Sequence, residues 1–393
     1  MNRLPVLPGL LLASLLLALA PQASAQTPAA IQPGELPLPR STESEIWYGM
    51  DQAEKEIRLS PMLVRDPALN AYVHSVACKV TRDYCKQLRV YIIDAPVFNA
   101  AMAPNGAMLV FTGSLLRMQD ESELALVLGH EFAHFRQRHS LKYWEKAKRT
   151  SAVLATFSVV TYAGGVSLAG GLAQMAGAAS IFDMSRQSER EADTIGFQQA
   201  VSLGYDPQAG VRIWTSMLKE ERATKLPRPA PIFASHPRTA ERLQDITASA
   251  AAMPAGDYLT NRDAYRSAMR PFLVHWLDAE LSRRIYGASI QLLADNLAIA
   301  SADSQGTYTY YLAEAYRRRN QGDDRTVARG LYETAITHPD TPADVWREHG
   351  LALREAGRNR EAAEALRRYL ERTPRAPDRA FVQQYLSELE KQP

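Results

Sequence analysis

His130-Glu131-Phe132-Ala133-His134 lies inside a stretch that reads as one helix, capped by Asp120 and running through Leu124, Val127 and Leu128 to about Lys146. Residues four apart share a helix face, so both imidazoles can grip one metal ion while Glu131 points into the same site. Zinc held by two imidazoles and a third protein ligand keeps a fourth position for water and lowers that water's pKa towards neutrality. The spacing therefore predicts a metal-hydrolase core with Glu131 as general base. Five-residue matches also arise by chance, so the rest of the chain has to supply the missing ligand.

His139 is the first candidate, because it would extend the pattern to a longer zinc motif. Gln137 stands where that motif needs a glycine, and the spacing from His130 is nine residues rather than ten. On a continuing helix His139 lies about 140° around from His134, away from the metal. Glu189, in Ser188-Glu189-Arg190-Glu191-Ala192-Asp193, is the better candidate. One helix face there offers Glu189 to the metal and Asp193 to hold a ligand imidazole, while Glu191 points elsewhere. In isolation the same residues also read as a surface charge cluster.

Around this core the chain of 393 residues is 46% hydrophobic, ample for two or three domains. Arg3, an apolar run from Leu10 to Ala20 and Ala23-Ser24-Ala25 read as a secretory signal over residues 1–25, with an uncleaved anchor as the other reading. The sequence therefore predicts an exported protein. A net charge of +2 gives no electrostatic case for nucleic acid as a partner. Cys78 and Cys85 read either as a local bridge in an oxidising compartment or as two buried thiols.

Residues 26–40 read as a flexible lead-in, with folding expected from Ser41. Helices are expected over 43–59 and 67–84, a strand over 88–94, then a hairpin of 99–103 and 107–112 closed by Asn105-Gly106 with positive φ angles. Residues 151–182 carry no charge but are broken by glycines, which favours two short helices over the active site or against a membrane surface, a peripheral contact rather than a span. Further helices are expected over 185–203 and 207–221, followed by a Pro-rich loop over 227–231 that leads to His236.

The C-terminal third changes character. Trp346, Gly350, Leu353, Ala362, Leu366, Tyr369 and Pro374 fall on the tetratricopeptide spacing, with Pro339 marking a weaker copy. Helices over 262–300 would join this array to the preceding part. The fold class is therefore mainly α, a zincin-like metallopeptidase domain with a small β-sheet over 41–255, followed by a tetratricopeptide-repeat α-solenoid over 256–393.

His-Glu-x-x-His, then Glu-x-x-Ala-Asp at 189–193, then His236-Pro237 and Arg242, resemble metallopeptidase family forty-eight, which contains the CAAX prenyl proteases. The resemblance implies one zinc per subunit, held by His130, His134 and Glu189, with Glu131 as base and Asp193 supporting a ligand. It implies that Asn99, Ala100 and Ala101 form an edge strand for substrate, and that His236 can fill zinc's open position as a gate. Arg242 would brace that loop or assist the oxyanion. The leader and repeats resemble the family's periplasmic branch, which implies quality control of outer-membrane β-barrel assembly. The partners implied are unfolded or stalled outer-membrane proteins and, through the repeats, the barrel-assembly machinery. The rival reading is a repeat-based assembly chaperone whose metal centre is latent or structural.

Overall fold

The computed structural model describes residues 29–148, 185–224, 236 and 240–391. The expected signal sequence, the uncharged 151–182 stretch and the Pro-rich loop lie outside the described residues.

Helix α1 (Thr42–Leu59) is capped by Ser41, and α2 (Pro67–Thr81) by Asp66 with proline in its first turn. The expected helix over 67–84 ends early. Arg82 adopts a φ of 50° and the chain tightens into a 3-10 turn over Arg82–Gln87, where Cys78 and Cys85 are joined as a disulfide.

Strands β1 (Arg89–Ile93), β2 (Ala100–Met102) and β3 (Ala107–Phe111) form one sheet in the order β1-β3-β2. β1 runs parallel to β3, pairing Arg89 with Ala107, and β2 runs antiparallel, pairing Ala101 with Leu109. Central β3 is buried throughout, and its alternation splits the core. Met108 and Val110 join the large core that includes α2 residues, while Leu109 and Phe111 pack with Ile57 of α1.

The β2–β3 connection differs from the expected hairpin. Gly106 alone takes a positive φ, 88°, and its N–H donates to the Ala103 carbonyl. Asn105 turns its side chain inward instead, donating to Asp51 and Glu54 of α1 at 2.8 and 2.9 Å. The strand expected to reach Thr112 stops at Phe111, where a short helix α3 (Thr112–Arg117) begins.

α4 (Glu121–Arg136) is capped by Asp120, whose side chain accepts from the Glu123 N–H, while Glu123 accepts from the Gln119 N–H. It stops sixteen residues on rather than running to Lys146. Arg138 adopts a left-handed φ of 53°, and a separate helix α5 (His139–Lys148) starts behind it. The expected free lead-in is also docked there. Ile31 is buried, its N–H donates to the Arg136 carbonyl, and Arg138 pairs with Glu35 and Glu43.

α6 (Arg186–Ser202), capped by Ser185, crosses α4; α7 (Ala209–Thr224) packs on α4, and α8 (Ala240–Ala251) packs on α6 and α7. Eight helices follow: α9 (Arg262–Met269), α10 (Leu273–Ser282), α11 (Tyr286–Leu297), α12 (Gln305–Arg319), α13 (Asp324–Ala335), α14 (Asp344–Glu355), α15 (Asn359–Arg372) and α16 (Arg379–Glu390). α12 pairs with α13 and α14 with α15 as antiparallel hairpins. Trp346, Leu353, Ala362, Leu366 and Tyr369 are buried in the second, where Gly350 lets the helices close. A Cβ on Gly350 would lie 2.8 Å from Leu366. One core cluster runs from Ile31 to Leu389, and buried Arg117 of α3 pairs with Glu220 of α7 and Glu280 of α10 at 2.9 and 3.0 Å. Among the described residues no helix is long and apolar enough to cross a membrane.

Candidate metal centre

The capped and largely buried α4 presents His130 and His134 one turn apart, their Nε2 atoms 3.0 Å from each other. α6 crosses α4 closely enough to bring Glu189 to both, 3.6 Å from His130 Nε2 and 3.4 Å from His134 Nε2. His236 completes the group. Its Nδ1 lies 3.0 Å from Glu189 Oε1 and 3.3 Å from His130 Nε2. One ligand atom from each of these four residues falls within 4.8 Å of the others, so together they could hold a metal ion. Three imidazole nitrogens and a buried carboxylate form a donor set that suits zinc. Glu189 is fully buried, a position a carboxylate takes only when a cation or strong donors balance it.

Behind this cluster stands a second layer. Asp193 Oδ1 lies 3.0 Å from His130 Nδ1, and Arg242 donates to both Asp193 oxygens at 2.7 and 2.9 Å. A further Arg242 nitrogen reaches Glu189 at 2.7 Å, and its guanidinium lies over Trp214. These contacts tie Arg242 to the two carboxylates of α6. His130 and Arg242 hold Asp193 down to about 2 against the effect of burial. Burial likewise works against Glu189, but His236, His130 and Arg242 keep its carboxyl below the usual range. Burial, reinforced by neighbouring positive groups, holds His134 well below the ordinary histidine value.

Glu131 is buried beside the group, with His236 Nε2 3.6 Å away. Burial pushes its carboxyl up, against the pull of His236 and His130. For His236 burial is outweighed by Glu131 and Glu189, which raise it. A narrow apolar cleft lined by Phe98, Val127, Phe197, Ile213, Trp214 and Met217 opens at Glu131 and His236.

The edge strand needs a shift in register. Asn99 O accepts from Phe111 N–H, and Ala103 N–H donates to Ala107 O, so alternation turns Asn99, Ala101 and Ala103 towards β3. Ala100 and Met102 therefore carry the outward backbone groups, and the Met102 amide faces the Glu131 carboxylate. Asn99 itself exchanges backbone bonds with the Ser114 hydroxyl.

Sequence reasoning missed three features of this site. Met102 could not be placed without the β2–β3 register. Gly129 and Gly196, at the α4–α6 crossing, had a visible signal, since glycine inside a helix is costly without a close approach to justify it. His139, set aside as a ligand on Gln137, its spacing and the premise of a continuous helix, stays outside the ligand group, yet its Nδ1 lies 2.9 Å from His134 Nδ1.

Residues 64–250 match the profile of peptidase family M48. They form an M48 peptidase domain. The four-residue cluster lies within it. The chain is 26% identical over 337 residues to the beta-barrel assembly-enhancing protease of Yersinia pestis, covering 82% of this chain and 65% of that protein. It is 29% identical over 234 residues to the protease of that name from Escherichia coli K12, covering 56% and 47%. It is also 30% identical over 216 residues to the mitochondrial metalloendopeptidase OMA1 of Bos taurus, covering 52% and 40%. The alignments thus reach from 40% to 65% of these relatives' own lengths.

Proposed function

We propose that this chain is a zinc-dependent endopeptidase, exported to the periplasm, that cleaves unfolded or stalled outer-membrane β-barrel proteins. The observation that carries the reading is the convergence of His130, His134 and Glu189 with buried Glu131 beside the outward edge of β2. The names of the relatives and the leader-like residues 1–25 support the substrate class and compartment. The Cys78–Cys85 disulfide fits an oxidising compartment.

His130, His134 and Glu189 would hold zinc, which would supply a Lewis acid for the scissile carbonyl and acidify water. Glu131 accepts the proton from the attacking water and delivers it to the leaving amide nitrogen, a role suited to a carboxyl raised by burial. Asp193 orients the His130 ring through Nδ1, and Arg242 holds Asp193 and Glu189 in register. Ala100 and Met102 bind substrate as an added strand, which reads backbone and tolerates varied sequence. His236 closes the centre and must withdraw before substrate enters. The hairpins of α12–α15 act as tetratricopeptide repeats that dock clients or the barrel-assembly machinery.

His236 inside the cluster also favours a second reading, an assembly chaperone with a latent centre. Casein cleavage before chelation, after it and after zinc is restored tests the first reading. Activity lost and regained with zinc supports the peptidase, and cleavage indifferent to chelation overturns it. Full restoration of client assembly in cells by an inactive Glu131→Gln chain would favour the chaperone.

A further inference from the structure

His139 and Glu191 form a chain of hydrogen bonds behind His134, running from a buried ring to a partly exposed carboxylate. α4 ends at Arg136, Arg138 turns the backbone left-handed, and the first residue of α5 is thereby folded back under the last turn of α4. A left-handed non-glycine residue is strained, and here bonds from Arg138 to Glu35, Glu43 and the Ala29 carbonyl hold it. The reversal leaves His139 only 2% exposed, with Nδ1 2.9 Å from His134 Nδ1 and Nε2 3.2 Å from Glu191 Oε2.

We infer that His139 is a positioning residue, which fixes the tautomer of His134 so that the Nε2 lone pair of His134 faces the metal. This rests on the reading of His134 as a zinc ligand. The order of donors follows from the chemistry of each group. An ionised Glu191 only accepts, so His139 carries its proton on Nε2. A neutral His139 then has a bare Nδ1, which can only accept, and the facing His134 Nδ1 must carry a proton. That leaves His134 Nε2 bare, on the side of His130 Nε2 and Glu189 Oε1. His130 has its Nδ1 oriented by Asp193 directly. His134 receives the same service from a carboxylate acting through an interposed imidazole, so both rings are aligned before metal arrives.

The test is zinc affinity, measured by chelator competition on full-length variants whose folding is verified by circular dichroism. His139→Phe keeps the ring and removes the acceptor, and should weaken zinc about tenfold or more. His139→Asn returns an acceptor oxygen near the Nδ1 position and should restore affinity to within about threefold of wild type. Glu191→Ala, a change at an exposed carboxylate, should weaken zinc alone but add nothing in the His139→Phe background. Unchanged affinity in His139→Phe overturns the proposal. So do equal losses in the Phe and Asn variants, or independent effects of Glu191→Ala and His139→Phe, which would indicate packing. If His139→Phe fails to fold, the Asn variant and Glu191→Ala decide alone: near-wild-type affinity in the first with loss in the second supports the relay, and any other pair overturns it. Unchanged zinc affinity in His134→Ala would instead overturn the underlying assignment of the ligand.

Discussion

Gly129 of α4 and Gly196 of α6 meet backbone to backbone. A Cβ on Gly196 would lie 2.7 Å from the His130 nitrogen and 3.0 Å from the Gly129 carbonyl carbon. That approach lets Glu189 and Asp193, earlier on α6, reach the two histidines of α4.

Gly196→Ala should therefore force the helices apart, because the obstructing atoms are backbone. Overpacking of this kind costs about 1–3 kcal/mol, and a shift of several tenths of an ångström would spoil the ligand geometry. Thermal melts and zinc content should fall together. Wild-type stability with full zinc would show that the crossing has slack.

His236→Ala should raise casein cleavage several-fold while zinc content stays at one per chain. His236 sits against Glu189, His130 and Glu131, the space a substrate carbonyl needs. Unchanged activity at full zinc would remove His236 as a gate.

Glu54 gives the acid limb of stability. It accepts from Arg89, Tyr91, Arg58 and Asn105, tying α1 to the sheet. Burial raises its carboxyl, but Arg89, Tyr91 and Arg58 outweigh this and bring it down to about 2 from an ordinary 4.5. A depressed folded-state value adds stability above the unfolded value and loses it as pH falls. The contribution is of the order of a few kcal/mol near neutrality. It fades between about 4.5 and about 2. Glu54→Gln should melt lower than wild type at pH 7, with the gap narrowing below pH 4.5. A gap independent of pH would assign the loss to packing.

Much of this site was legible because its signals are local. The His130–His134 and Glu189–Asp193 pairs are spaced by one helical turn, and Asp120 and Ser185 announce the helices that carry them. What stayed hidden depends on distant residues. Nothing near Gln137 marks a helix end, since the left-handed position is an arginine held by Glu35 and Glu43, far back in the chain. That break decides where His139 goes. The docking of Ile31 onto the end of α4 is equally remote, which is why residues 29–40 read as loose. Arg242 was visible as a cation near the motif, but its choice of Asp193 and Glu189 needed the packing of α8 on α6.

The central claim is that Glu131 performs proton transfer at a metal centre built by its neighbours. Cleavage of casein by Glu131→Gln protein of measured zinc content tests it most directly. One zinc per chain and cleavage reduced by about a hundredfold or more are expected. Wild-type cleavage by a zinc-loaded Glu131→Gln chain would contradict it.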